Sequence, residues 1–124
     1  MPSARKETAP VTIDTPAYAA RLVELGGFTV AYETIRIQHD AAPFFKGLPD
    51  DRCPCPHWGL VVAGQLTLHY SDHDETIEAG ETYYAPAGHL PSSLAGTELI
   101  TFSPTDQINE VNAVLAANLA RAND

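Results

Sequence analysis

Short runs of alternating apolar and polar residues, separated by turn residues about every ten positions, fill the middle of this 124-residue chain. Leu66, Leu68 and Tyr70, for example, alternate with Thr67 and His69. Because successive side chains of a strand point to opposite faces, this pattern predicts half-buried strands. We expect strands at 58–63, 66–70, 76–78, 82–85 and 98–102. Many short strands joined by turns predict an all-β sandwich or barrel.

A further alternating stretch covers residues 28–39, but its parity changes halfway. Apolar residues occupy even positions as far as Tyr32 and odd positions from Ile35 onward. A bulge near Thr34 or two separate strands would each explain this change.

The two ends of the chain differ from its middle. Residues 1–14 are mostly polar and contain two prolines, which predicts a flexible lead-in. A short helix is expected after it, because Thr15 can cap a helix, Pro16 suits the first helical position and Gly26 suits the left-handed end. The apolar residues of this segment recur at helical spacing: Tyr18, Leu22 and Leu25.

A second helix is predicted at about 105–121, after the last strand. Its apolar residues form one stripe at helical spacing: Ile108, Val111, Leu115 and Leu119. The stripe must cover part of the barrel or a partner chain. We therefore divide the chain into a lead-in at 1–14, a barrel with a short helix at 15–103, and a terminal helix at 104–124.

The composition is strongly acidic. Sixteen Asp and Glu residues against seven Lys and Arg give a net charge of −9, which disfavours binding to nucleic acids and to anionic membranes. No apolar run reaches the roughly 20 residues of a membrane-spanning helix, and the N-terminal segment lacks the apolar core of a secretory signal. A cytoplasmic location is expected, and two cysteines in that reducing compartment argue against a disulfide scaffold.

The densest chemical signal is the run from Cys53 through Cys55 to His57. These residues are two apart, so an extended chain points all three side chains to one face. Two thiolates and an imidazole suit zinc or another late divalent metal, with a fourth ligand from another strand or from water. Buried cysteines that act as small apolar residues, together with a core histidine bonded to a carbonyl, are the structural alternative.

Two stretches carry a resemblance to a known family. Gly80 is followed after five residues by Pro86, Ala87 and Gly88, and His57 stands seven residues before Gly64. The sequence thereby resembles the cupin superfamily, in particular its small single-domain (cupin 2 type) members, over about residues 28 to 103. The family motifs read G-x5-H-x-H-x3,4-E-x6-G and G-x5-P-x-G-x2-H-x3-N. The resemblance implies an all-β antiparallel double-stranded β-helix, or jelly-roll barrel, and a metal held inside it by motif histidines and a glutamate.

The first motif is altered at its ligand positions. His57 stands where the family has its glutamate. The shorter family spacing places Asp51 and Cys53 at the two histidine positions, and the longer spacing places Asp50 and Arg52 there. Neither alignment contains H-x-H, so the ligand set usual for the family is not present residue for residue.

The second motif is altered as well. Pro91 stands at the expected histidine position, and His89 precedes it by two residues, which preserves the strand parity. A solvent-exposed imidazole in a turn is the alternative for His89. The candidate metal ligands are Cys53, Cys55, His57 and His89, and the cysteines favour zinc over the manganese or iron usual in the family.

A small-molecule pocket is expected beside these ligands. With His57 inward, alternation points Gly59 and Tyr70 inward, and Gly59 would leave space for a ligand. One of Tyr83 and Tyr84 must face inward and the other outward. We take Tyr70 and Tyr84 as candidate catalytic proton donors. Phe44 and Phe45 could form a lid, and dense filling of a small barrel by these side chains is the alternative.

Three functions remain open at this point. The first is a metal-dependent enzyme of isomerase, cyclase or dioxygenase type, acting on a small organic substrate in the barrel. The second is a non-catalytic domain that binds or senses a ligand or a metal, and the third is a dimeric structural module. A homodimer is expected because small cupins usually pair and because the strands near Phe28 and the helical stripe offer apolar surface.

Overall fold

Two antiparallel sheets and one helix form the described part of the chain, residues 3–122 of the computed structural model. The nine strands are β1 (Val11–Asp14), β2 (Tyr18–Leu25), β3 (Phe28–Ile35), β4 (His57–Ala63), β5 (Gln65–His69), β6 (Asp74–Glu78), β7 (Thr82–Ala85), β8 (Leu90–Ser93) and β9 (Glu98–Pro104). The helix α1 spans Thr105–Ala122, and short 3-10 turns occupy Lys6–Thr8, Ala42–Phe44 and Pro49–Asp51.

The larger sheet has the strand order β1-β2-β3-β9-β4-β7, and the smaller has the order β6-β5-β8. The two sheets pack face to face through one apolar cluster of inward side chains: Ile35, Val61, Leu66, Leu68, Ile77, Ala85 and Leu99. From β4 to β9 the chain crosses between the two packed antiparallel sheets four times, as in a jelly-roll barrel. The predicted all-β fold with a C-terminal helix is thus confirmed.

The predicted N-terminal helix is wrong. Tyr18–Leu25 is strand β2, which pairs along its whole length with β3. Gly26 and Gly27 both have positive φ angles, 59° and 85°, as a two-residue hairpin turn between right-twisted strands requires. The Gly-Gly pair is therefore a hairpin turn rather than a helix end. The predicted lead-in also needs correction, because Val11–Asp14 is strand β1, paired with β2.

Other predicted strands match the structure with small shifts of their ends. The change of parity in 28–39 reflects neither a bulge nor a second strand, because β3 pairs regularly and ends at Ile35. Strand β8 was not predicted from the sequence. It contains Pro91 at the edge of the smaller sheet, where a residue without an N–H group is tolerated.

Helix α1 closes one end of the barrel. Its apolar stripe packs against the loop between β3 and β4 in a second cluster, whose buried members are Phe45, Leu48, Cys53, Cys55, Ile108 and Val111. Three of the four predicted stripe residues, Ile108, Val111 and Leu115, are thus covered within the chain. Within residues 3–122, no helix combines the length and apolar character needed to cross a membrane.

The side chain of Asn118 fastens α1 to this loop. Its Nδ2 atom donates to the carbonyl oxygens of Phe44, at 2.6 Å, and Lys46, at 2.9 Å. Asn118 is buried, so its amide and these two carbonyls have little access to water as a replacement partner. One side chain therefore satisfies two loop carbonyls and fixes the position of the helix over the barrel end.

We expect Asn118→Ala to lower the free energy of unfolding by about 1–3 kcal/mol, because it leaves two carbonyls without their donor. Urea unfolding followed by circular dichroism measures the change. Asn109→Ala, at an exposed position of the same helix, is the matched control and should stay within about 0.5 kcal/mol of wild type. Equal stability of the two variants would contradict the role assigned to Asn118.

Candidate metal centre

Two backbone hydrogen bonds bring the two motif regions together. The Cys53 N–H donates to the His89 carbonyl at 2.9 Å, and the Gly88 N–H donates to the Cys53 carbonyl at 2.8 Å. Cys53 and His89 thereby form an isolated antiparallel bridge between the loop before β4 and the turn before β8. Residues 36 positions apart are held side by side before their side chains interact.

Three side chains converge at this bridge. One potential ligand atom from each of Cys53, His57 and His89 lies within 4.8 Å of the other two. The Cys53 Sγ atom lies 3.4 Å from His57 Nε2, and the two imidazole ring centroids are 4.8 Å apart. Cys53 and His89 are each 2% exposed, so the group is closed to bulk solvent on the side that these two residues form.

Hydrogen bonds orient both imidazole rings. His89 Nδ1 lies 2.8 Å from the Pro86 carbonyl oxygen, which can only accept, so Nδ1 carries the proton and Nε2 presents a lone pair. His57 Nδ1 lies 2.7 Å from the Ser103 hydroxyl, and its Nε2 points toward Cys53. A second hydrogen bond of this kind commonly fixes the tautomer of a metal-ligating histidine.

Burial keeps all three groups uncharged without a metal. It raises the pKa of Cys53 to about 12 and lowers the pKa of His57 to about 3, with a smaller contribution from His89. Burial also lowers the pKa of His89, which its bond to Pro86 partly offsets. The site therefore holds a thiol and two neutral imidazoles near neutral pH, and the thiol must lose its proton to bind a cation.

The donor set fits a divalent cation. One thiolate and two imidazoles suit zinc or another late divalent metal, and three protein ligands leave a fourth position for water or a ligand. A cation bound here would supply Lewis acidity at that position. The hydrogen bonds at Nδ1 of both rings leave Nε2 as the available ligand atom of each.

Cys55 does not join this group, contrary to the prediction. The backbone bends at Cys55 and is not a regular strand between Cys53 and His57, so the two-residue alternation fails. The Cys55 side chain instead packs among the apolar residues under α1. Burial raises the pKa of its thiol to about 11.

Of the two tyrosines predicted as proton donors, one packs against the barrel interior and the other lies on the outer surface. Tyr70 packs against the interior apolar cluster, and its ring centroid is 6.5 Å from that of His89. Tyr84 is 53% exposed on the outer face of the larger sheet, where it stacks on Trp58. The pairing of β7 with β4 explains this, because Tyr84 lies opposite outward Trp58 and Tyr83 lies opposite inward Gly59. Tyr83 rather than Tyr84 is therefore the inward residue.

The space expected beside Gly59 is occupied. A Cβ atom at Gly59 would lie 2.6 Å from Tyr83 Cζ and Oη and 2.6 Å from the Ile100 carbonyl oxygen. Gly59 thus makes room for the Tyr83 ring rather than for an open pocket. Among the described side chains, Tyr70 has the one buried hydroxyl without a hydrogen-bond partner. That orphan group marks a place where a ligand or water would gain a hydrogen bond.

Ser103 and Glu33 belong to the interior but were not predicted from the sequence. Ser103 contacts His57, and Glu33 accepts hydrogen bonds from Tyr18 and Thr101. The parity of β3 could have identified Glu33, since it shares its face with the buried Ile35. The assumed shift of parity near Thr34 concealed this relation.

Neither protein-family models nor curated proteins match the sequence. Solved structures do match. An RmlC-like cupin from Shewanella frigidimarina has a TM-score of 0.54 at 13% identity, over 82% of this chain and 88% of that one. KdgF from Halomonas sp. has a TM-score of 0.52 at 13% identity, over 81% of this chain and 90% of that one. HppE in its Fe(II) form has a TM-score of 0.55 at 11% identity, over 81% of this chain and 58% of that one.

These similarities and the two-sheet barrel define the class of the protein: the chain has the cupin fold. Its donor set of one cysteine and two histidines sits at the two segments that the sequence resemblance singled out. At these low identities the fold alone is shared, so its chemistry has to be argued from its own residues.

The depressed pKa of His57 predicts a loss of stability in acid. His57 stays neutral in the folded protein down to about pH 3, whereas it takes up a proton near pH 6.5 when unfolded. Between these values the unfolded state binds more protons, so this residue lowers the free energy of unfolding by about 1.4 kcal/mol per pH unit as the pH falls. His57→Gln should flatten the acid side of the stability profile, measured by urea unfolding in a chelator from pH 7 to pH 4.5.

His73 provides a control of opposite sign. Its hydrogen bonds to Asp72 and Glu75 raise its pKa at the surface, so its stabilising contribution grows as the pH falls toward about 6.5 and is fully present below that value. His73→Gln must therefore not flatten the acid side of the profile. An unchanged slope in His57→Gln would show that His57 is not held neutral by burial.

Proposed function

We propose that this cupin-fold protein binds one divalent cation through Cys53, His57 and His89 and acts there on a small organic ligand. The observation that carries the proposal is the convergence of three oriented donor atoms within 4.8 Å. Zinc is the favoured cation, because a thiolate with two imidazoles suits it and because zinc needs no redox partner.

The surroundings support a metal-dependent enzyme. A ligand at the open fourth position would lie in an interior that also holds the unpartnered hydroxyl of Tyr70. Burial raises the pKa of Tyr70, so its hydroxyl keeps its proton and can donate it as a hydrogen bond. Polarisation of a carbonyl or activation of water is the chemistry that fits zinc, as in an isomerase or a cyclase type of reaction, whereas a dioxygenase type would require a redox-active cation instead.

A non-catalytic role in binding or sensing is the second candidate. Two observations favour it: Cys53 and His89 are each 2% exposed, and the Tyr83 ring fills the space next to Gly59. A closed site of this kind suits a cation that stays bound. Slow release of the cation to a chelator, with no small molecule that raises the melting temperature of the loaded protein, would select this role.

Cobalt provides the sharpest test of the metal site. We expect one Co²⁺ per chain to produce a thiolate-to-metal absorption band and the intense visible bands of a tetrahedral site, and one Zn²⁺ to displace it. Cys53→Ser should abolish the thiolate band and weaken metal binding at least tenfold. Cys55→Ser, a buried thiol two residues away, is the matched control and should keep the spectrum.

His57→Gln and His89→Gln should each weaken binding in the same titration, while His39→Gln, outside the donor group, should not. The protein must carry no histidine tag. If Cys53→Ser keeps the thiolate band and Cys55→Ser loses it, the ligand assignment is wrong. If wild type binds less than a tenth of an equivalent of either metal, the proposal itself fails.

We also propose that two copies of the chain pair through the outer face of the larger sheet. Large apolar side chains lie there in register: Trp58 is opposite Phe102 on β9 and opposite Tyr84 on β7. These three residues are 41–53% exposed, and Phe28 beside Trp58 is 40% exposed. An uncharged aromatic face on a chain of net charge −9 is a self-complementary surface for a two-fold dimer.

Sedimentation velocity tests the pairing. We expect the wild-type chain to sediment as a dimer and Trp58→Glu as a folded monomer, because a buried unpaired charge would oppose association. Leu94→Glu, at an exposed apolar position away from this face, should remain dimeric. A wild-type chain that stays monomeric at 100 µM, or a Trp58→Glu variant that stays dimeric, would contradict this interface.

The free thiols of Cys53 and Cys55 suit a reducing compartment, which supports the proposed cytoplasmic location.

A further inference from the structure

The barrel interior contains a carboxyl group with no basic partner. Glu33 lies on β3 opposite Leu99 of β9 and shares its inward face with Ile35. Its Oε1 atom accepts a hydrogen bond from the Tyr18 hydroxyl at 2.5 Å, and its Oε2 atom accepts one from the Thr101 hydroxyl at 2.9 Å. No ion pair among residues 3–122 includes Glu33.

With Glu33 ionised, the hydrogen bonds around it all run in one direction. Thr101 donates its hydroxyl proton to Glu33, so the Tyr83 hydroxyl, 2.8 Å from Thr101, must donate to Thr101. Tyr18 donates to the other carboxyl oxygen. Three hydroxyl groups from strands β2, β7 and β9 are thus polarised toward one carboxylate.

Burial of Glu33 disfavours the ionised form of its carboxyl group. It raises the pKa of Glu33, while the hydrogen bonds from Tyr18 and Thr101 lower it by less. The titratable groups that interact with Glu33 are Tyr18 from β2, Tyr83 from β7 and Cys53 from the loop before β4, and none of them supplies positive charge. The ionised form is therefore hydrogen-bonded but lacks a counter-charge.

Glu33 and the candidate metal centre interact through space. The charge of Glu33 contributes to the raised pKa of the Cys53 thiol, so a charge at one group is felt at the other. Along β9, Thr101 contacts Glu33, and Ser103, two residues on and on the same face, contacts His57. Two residues of a strand span about 7 Å, so Glu33 and His57 are contacted from neighbouring positions on one face of β9.

We propose that Glu33 is the proton-exchanging residue of the barrel, protonated while the metal centre is empty and ionised when a divalent cation occupies Cys53, His57 and His89. The proton lost from the carboxyl group passes to the solvent buffer, and the carboxylate then accepts hydrogen bonds from both Tyr18 and Thr101. This inference rests on the proposed metal site.

The ionised Glu33 would then be a base in the poorly solvated barrel interior that would also hold the cation. Such a pair suits a small ligand whose oxygen coordinates the metal and whose neighbouring C–H or O–H group is acidified by it, for example a hydroxy or keto acid. Loading of the metal would prepare the base, so the empty protein would not abstract protons.

Infrared spectroscopy of the whole protein tests the change of ionisation. At pH 7 without metal, wild type should show a protonated-carboxyl C=O band, which should disappear when one equivalent of Zn²⁺ is added. Glu33→Gln should lack this band in both states. Glu24→Gln, at an exposed position on the neighbouring strand β2, is the matched control and should behave as wild type.

Calorimetric titration with Zn²⁺ in buffers of different ionisation enthalpy counts the protons released. Glu33→Gln should release one proton fewer per Zn²⁺ than wild type and Glu24→Gln. Binding of Zn²⁺ with equal proton release and an unchanged infrared band would overturn this inference and leave the metal site standing. Absence of Zn²⁺ binding in wild type would overturn the metal site and, with it, the inference. The wild-type infrared measurement decides between these outcomes even if Glu33→Gln does not fold.

Discussion

The backbone bridge between Cys53 and His89 is the constraint on which the interior of this protein depends. Its two hydrogen bonds, at 2.9 and 2.8 Å, tie the long loop after β3 to the turn before β8. That connection places a thiol and an imidazole side by side and orients the loop so that α1 can pack over it. Cys53 belongs both to the donor group and to the cluster under α1. The packing of α1 over the barrel end therefore also positions one side chain of the donor group.

The charges of the buried groups, like the convergence of their donor atoms, favour a divalent cation in the interior. A neutral thiol, two neutral imidazoles and a carboxyl group without a basic partner are costly to bury unless their protons and lone pairs are used. A divalent cation would accept the lone pairs of His57 and His89, take the thiolate of Cys53 and balance the charge of Glu33. These polar groups are unfavourable in an apolar core, but they would be favourable ligands and counter-charges for a cation.

The sequence predicted correctly those elements whose structure follows from local residue spacing. It failed where pairing with a distant strand or a bend of the backbone decided the structure. The strands β4 and β7 and the C-terminal helix followed from alternation and from an apolar stripe, and the cupin motifs located His57 and His89 despite altered ligands. The spacing of Tyr18, Leu22 and Leu25 fitted a helix, but pairing with β3 made the segment a strand. Cys55 left the predicted ligand set because a backbone bend, invisible in the spacing, turned its side chain toward α1.

The relation between Gly59 and Tyr83 decides how much room the interior offers. A side chain at position 59 would collide with the Tyr83 ring, so the glycine and the tyrosine act as a pair. The Tyr83 hydroxyl is fixed by Thr101, whose own proton is donated to Glu33. The ring that fills the space beside Gly59 is therefore held by the hydrogen bonds that lead to the Glu33 carboxyl group. A ligand that approached His57 past Gly59 would meet this ring, and the hydrogen bonds that lead to Glu33 would oppose its displacement.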